Sequence, residues 1–119
     1  MAAPNIVNVT TITGKTAVLA LTTTPADIVT NASSSNTVVK INNLVVSNIN
    51  GTTSATVNVS VYRSTTEFKL AHLVSVPAGS SLVAIDKATS IYLEEGDTVR
   101  VTASANSFLQ AVCSYEIIG

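Results

Sequence analysis

The sequence predicts an all-β protein, an antiparallel β-sandwich of about eight strands with a jelly-roll character. Apolar and polar residues alternate in several stretches, most cleanly where Val57, Val59 and Val61 interleave with Thr56, Asn58, Ser60 and Tyr62. Side chains along a strand point to opposite faces in turn, so this marks a sheet with one buried face. Charged residues make up only 11% of the chain, and Thr, Ser and Asn supply the polarity instead; about 25% is usual. Thr, Val and Ile are β-branched and favour strands. No stretch shows a sustained 3.6-residue period, and short strands separated by turn signals read as a sandwich or small barrel. A chain of 119 residues fits one domain, 1–119, with room for a hydrophobic core.

A first strand is expected over residues 5–12, closed by Gly14, and a second over 16–22. The continuous apolar run of the second suggests cover on both faces. Pro25 stands outside any central strand, and 26–30 suits a short one. Residues 31–36 are small and polar, a loop. Over 37–48, Val39 and Ile41 share one phase and Leu44 and Val46 the other. One extra residue at Asn42-Asn43 produces such a flip, which predicts a β-bulge. Asn50-Gly51 is a turn signal because both residues tolerate positive φ. After the strand around Val57–Val61, residues 64–67 turn, 68–76 resume an extended run, and Pro77-Ala78-Gly79-Ser80 turns again. Residues 81–86 give one more strand, apolar without a break from Leu82 to Ile85.

The last third, from Ile91, reads as the organising unit. Ile91-Tyr92-Leu93 is followed by a turn at Glu94-Glu95-Gly96-Asp97 and two alternating strands. Val99, Val101 and Ala103 share one face of the first; Leu109, Ala111, Cys113, Tyr115 and Ile117 share one face of the second. Only Val112 falls out of phase. Residues 105–108 suit a tight reversal, so these strands are expected to form a terminal hairpin.

Few residues invite chemistry. Net charge is −1 and the six basic residues are scattered, without the footprint that nucleic acid requires. The start of the sequence lacks the basic and apolar regions of a signal peptide, and no apolar run approaches the ~20 residues of a membrane span. The expectation is a soluble protein made in a cytoplasm. Cys113 is the single cysteine, so no internal disulfide forms; its apolar phase makes it a small buried hydrophobe. Glu94, Glu95 and Asp97 offer oxygen ligands, but too few for a calcium site and without the EF-hand spacing; a solvated turn is the simpler reading. His72 is the single histidine, with no nucleophile elbow in the chain, and suits a solvent-facing or subunit-contact position. Sequons at Asn8, Asn31, Asn50 and Asn58 are what a chain rich in Asn, Ser and Thr produces by chance. The absence of Trp weakens a lectin role. No enzyme, no metal and no cofactor are therefore expected.

Three stretches carry a resemblance. The opening Pro4-Asn5-Ile6-Val7-Asn8-Val9 and the centre Lys40-Ile41-Asn42-Asn43-Leu44-Val45-Val46-Ser47-Asn48 with Val57-Asn58-Val59-Ser60-Val61 resemble small virion structural proteins of marine tailed phages, of the cyanophage and pelagiphage type. So does the close, Ile91-Tyr92-Leu93-Glu94-Glu95-Gly96-Asp97-Thr98-Val99-Arg100-Val101-Thr102-Ala103-Ser104-Ala105, ending in Val112-Cys113-Ser114-Tyr115-Glu116. The resemblance implies a virion component made in a bacterial host and brings no catalytic residue with it. The apolar runs at 17–21 and 82–85 suggest surface that needs a partner. The expectation is self-association, a trimer favoured over a dimer, and contact with other virion proteins such as the major capsid protein. A compact, low-charge domain without repeats or a stalk suits a capsid decoration protein. A tail-fibre, neck or baseplate module, structural or receptor-binding, is the alternative; a small hydrolase is disfavoured by the missing nucleophile and base.

Overall fold

The computed structural model describes Asn5 and residues 7–119. Nine strands follow one another: β1 (Ile12–Ala20), β2 (Ala26–Thr30), β3 (Val38–Asn48), β4 (Ala55–Arg63), β5 (Thr66–Val76), β6 (Ser81–Ile85), β7 (Ile91–Leu93), β8 (Thr98–Ala103) and β9 (Leu109–Ile118). A 3-10 turn at Lys87–Thr89 separates β6 from β7, capped by Asp86. All pairings are antiparallel. One sheet runs β1-β9-β3-β6, with β7 also on β3; the other runs β2-β8-β4-β5. Valines, leucines and isoleucines from both inner faces fill the space between, among them Ile41, Leu44, Val46, Val57, Val59, Val99, Val101 and Leu109.

The pairings reveal how the chain is wound. The first half meets the second half in reverse order: β1 with β9, β2 with β8, β3 with β6 and β7, β4 with β5. The chain is thus one long double-stranded ribbon, folded so that successive pairs fall alternately in the two sheets. That is a jelly roll. β6 covers Leu44–Ser47 of β3 and β7 covers Val39–Ile41, so together they act as one interrupted strand. The expected count of about eight strands matches this ribbon.

The bulge in β3 falls where the phase flip placed it. Ile41 faces Tyr115 and Asn43 faces Ser114, which leaves Asn42 as the extra residue. Asn42 Nδ2 donates to Glu116 Oε1 at 3.1 Å, and Asn43 Oδ1 accepts from the Ser114 N–H at 3.2 Å. The interruption between β6 and β7 lies opposite this bulge. Both irregularities therefore occur at one level of the sheet.

Four expectations need correction. The strands expected at 5–12 and 16–22 are one strand beginning at Ile12, with Gly14 inside it and paired to Glu116; Ile6 lies outside the described residues. Gly costs an edge strand little enough to be tolerated there. The apolar run of β1 is not covered on both faces, since Val18 is 74% exposed. β8 and β9 form no hairpin; they lie in different sheets, and residues 104–108 carry the chain across. Finally, Asn50-Gly51 turns without positive φ at either residue. Instead Asn50 Oδ1 accepts from the N–H groups of Thr52 and Thr53, an Asx turn.

Candidate interaction surfaces

The outer face of the β1-β9-β3-β6 sheet carries the chain's most ordered apolar feature. Register places Val18 of β1 opposite Val112 of β9, Val112 opposite Val45 of β3, and Val45 opposite Val83 of β6. Directly opposed residues share a face, so four valines form one row across four strands. Val18, Val112 and Val83 are 74%, 44% and 54% exposed. Polar rows flank them: Thr16, Ser114 and Asn43 on one side, Gln110, Ser47 and Ser81 on the other. The out-of-phase Val112 is thus a member of an external row. Val112 and the two apolar runs were its trace in the sequence; the alignment of all four needed the register.

The second sheet carries paired polar groups along β2, β8 and β4, while Leu70 and Leu73 on its edge strand β5 are 43% and 59% exposed. Arg100 stacks on the Tyr62 ring, 3.7 Å from its centre, and its Nε donates to Asp27 Oδ1 at 3.0 Å. The Asp27 hydrogen bond raises the guanidinium pKa further. Ser60 Oγ donates to Glu67 Oε1 at 2.9 Å, and this bond leads the lowering of the Glu67 pKa. The first sheet thus presents an aligned valine row, and the centre of the second presents paired charges.

The acidic turn is not simply solvated. Asp97 is buried at 1% exposure. Arg63, the last residue of β4, grips it with two donors: Nε to Oδ1 at 2.7 Å and an Nη to Oδ2. Glu94 N–H also donates to Oδ2 at 2.9 Å, and Glu94 Oε2 receives the same Arg63 group at 3.0 Å. Burial pushes the Asp97 carboxyl upward. The Arg63 hydrogen bonds, the Glu94 N–H and the Arg63 charge outweigh it and hold the carboxyl below the usual range. Glu95 Oε2 accepts from the Asn36 N–H instead. The three acids are spent on structure, and among the described residues no group of three His, Cys, Asp or Glu is placed to hold a metal ion. The sequence showed the acids; Arg63, distant in the chain, carried no visible link to them.

The remaining candidates lie apart. His72 is exposed on β5 in one sheet, while Cys113 is fully buried on β9 in the other, its thiol pushed up to about 11 by burial. Of the sequon residues, Asn31 is buried, Asn50 caps its own turn, and Asn58 Oδ1 accepts from the Leu73 N–H at 2.9 Å. A shallow groove of about 300 Å³ lies between the sheets, lined by Val61, Arg63, Phe68, Ile91 and Tyr92. Among the described residues no helix is long and apolar enough to cross a membrane.

Known proteins share this fold. No family model and no curated protein matches the sequence. Among solved structures, a chain of the acid-stable capsid of Helicobacter pylori bacteriophage KHP30 superposes with a TM-score of 0.55 at 8% identity, over 94% of this chain and 90% of that one. A protein of Bacillus endospore appendages, disulfide-linked pili, gives 0.52 at 19% identity over 91% and 88%. The triple-jelly-roll turret protein of an archaeal virus gives 0.51 at 16% identity, over 94% of this chain and 30% of that one. At these identities the likeness establishes the jelly roll.

Proposed function

We propose that this chain is a non-enzymatic virion structural protein that decorates the capsid exterior, binding the major capsid protein and further copies of itself. The observation that carries the reading is the jelly roll spanning almost the whole chain, matched end to end by a chain of a phage capsid. Two further matches come from the turret assembly of an archaeal virus and from disulfide-linked pili. The resemblance to small virion proteins of marine tailed phages points the same way. A decoration protein must bind many equivalent sites, and a small domain with a valine row on one sheet and paired charges on the other can meet two neighbours at once. Its place of synthesis is then the cytoplasm of a bacterial host and its destination the virion.

Copy number tests the reading. A shell-coating protein is expected in numbers comparable with the capsid subunits, whereas a neck or baseplate protein closes as a small ring. Quantitative mass spectrometry of purified particles measures that ratio. A low count would move the protein to the tail, where a fibre, neck or baseplate role, structural or receptor-binding, becomes the reading.

A further inference from the structure

Each sheet of an open sandwich ends in two edge strands, and each edge exposes unpaired backbone groups that can template another strand. Three of the four edges here are blunted. β2 is five residues long and its register slips between Asp27 and Val29. β5 slips twice against β4, and Leu73 sits at φ 52°. The edge made by β6 and β7 is split by the 3-10 turn, and β6 slips again within its five residues. Bulges and short lengths are the usual protections against strand addition. β1 has none of them: nine consecutive residues pair with β9 without a shift, from Ile12↔Ile118 to Ala20↔Gln110. Residues 12–16 are exposed throughout, and β1 contains no Pro.

We infer that β1 pairs with β1 of a second copy, antiparallel, about a two-fold axis at Thr16. Regular geometry selects the occupant, because among the sheet edges of the described residues only another β1 offers a matching unbroken strand. Charge selects the register. Lys15 is the only charged residue of β1. A pairing centred on Lys15 would set two like charges directly opposite, which destabilises a sheet. Centred on Thr16, the midpoint of the strand, Lys15 faces Ala17 of the second copy and all nine residues find partners.

Gly14 supports the same register. A β-carbon at Gly14 would meet nothing within 4 Å, so contacts within the chain give no reason for glycine there. Gly weakens a strand interior and often marks a close approach by another backbone. In the Thr16-centred pairing, Gly14 faces Val18 of the second copy, the most exposed member of the valine row, and leaves room for its side chain. The result is one continuous sheet across two molecules, a closed pair in place of the trimer that the apolar runs suggested. The pairing does not depend on the virion role: a low copy number in particles would leave it standing, and a failed pairing would leave the copy number unchanged.

Light scattering and cross-linking of the purified full chain test it. The expected mass is twice that of the 12.2 kDa chain. Thr16→Lys, an exposed change that puts like charges on the axis, is expected to return the mass to one chain with the melting profile still cooperative. Thr16→Cys is expected to oxidise to a covalent dimer, since opposed residues in antiparallel strands lie ~4.5–5.5 Å apart at Cα, within disulfide reach. Ser75→Cys, exposed on the bulged β5 edge, is expected not to cross-link. A mass of one or three chains, a dimer unaffected by Thr16→Lys, or cross-linking through Ser75→Cys rather than Thr16→Cys would each overturn the inference.

Discussion

The side-chain amide of Asn31 donates to the carbonyl of Leu93 at 3.0 Å, tying the end of β2 in one sheet to the end of β7 in the other. It donates also to the Thr37 carbonyl at 2.9 Å, while its oxygen accepts from Ser35 Oγ and Thr37 Oγ1. Asn48 does the same at the far end of β3, donating to the carbonyls of Val76 and Thr53. Each buried amide thus clasps one end of the sandwich. Asn31→Ala is expected to cost about 2–3 kcal/mol, because buried carbonyls lose their donor. Urea unfolding of the purified variant measures it, and a cost near zero would show that solvent replaces the clasp.

Arg63→Met should destabilise more than Glu94→Ala. Removing the arginine leaves a buried carboxylate without its cation, a change that costs several kcal/mol when both partners are buried. Arg63 is half-exposed, so about 2 kcal/mol is expected. Glu94 is an exposed partner, and its loss is expected to cost less than ~0.5 kcal/mol. Equal effects in urea melts would disprove the ranking.

Asp97 also sets the response to acid. Its folded pKa lies below the ordinary aspartate value. The unfolded chain therefore takes up a proton first as pH falls, and stability must fall with it. The contribution is complete above about pH 4, the unfolded value, and is lost progressively below it as the folded pKa is crossed. Glu67, also held low, adds with the same sign. Urea midpoints measured from neutral pH downward should decline on this limb, and Asp97→Asn should flatten the decline while lowering stability at neutral pH.

The β4–β5 hairpin turns through Ser64 and Thr65 at φ 51° and 63°. Two-residue hairpins favour positive φ at both positions, which suits Asn-Gly and strains a β-branched Thr. The double change Ser64→Asn, Thr65→Gly is expected to stabilise the protein by about 1 kcal/mol. A lowered denaturation midpoint would mean that the side chains of Ser64 and Thr65 contribute more than their backbone strain costs.

Cys113 should resist thiol reagents in the native protein. It is fully buried, and burial raises its pKa to about 11, which suppresses the reactive thiolate. Labelling is expected only as the chain unfolds, with a rate that rises with urea. Fast labelling of native protein would contradict the burial.

Local alternation was readable where one strand face is buried: the bulge at Asn42-Asn43 and the phases of β4 and β8, with Val112 visible only as a break in phase. Partners were not readable, because alternation specifies a face and says nothing of the neighbouring strand. β8 and β9 look like a hairpin in one dimension, yet each pairs with strands from the first half of the chain. Gly14 looked like a terminator because an exposed edge strand has no inward pattern to reveal its continuity. The burial of Asp97 depends on Arg63, and no short-range pattern joins residues that far apart.

The ribbon winding also imposes an order in time. β4 and β5 are separated by two residues and can meet first, whereas Ile12 waits for Ile118, its partner at the opposite end of the chain. Loop closure grows costlier with separation, so the ribbon is expected to zip outward from the β4–β5 turn. Relief of strain at Ser64 and Thr65 should then quicken refolding in stopped-flow measurements, while changes in β1 should mainly alter unfolding. During synthesis β1 emerges early and stays unpaired on both sides until β9 is complete. The regular edge suited to a second copy is thus also where a half-made chain is most exposed to premature association.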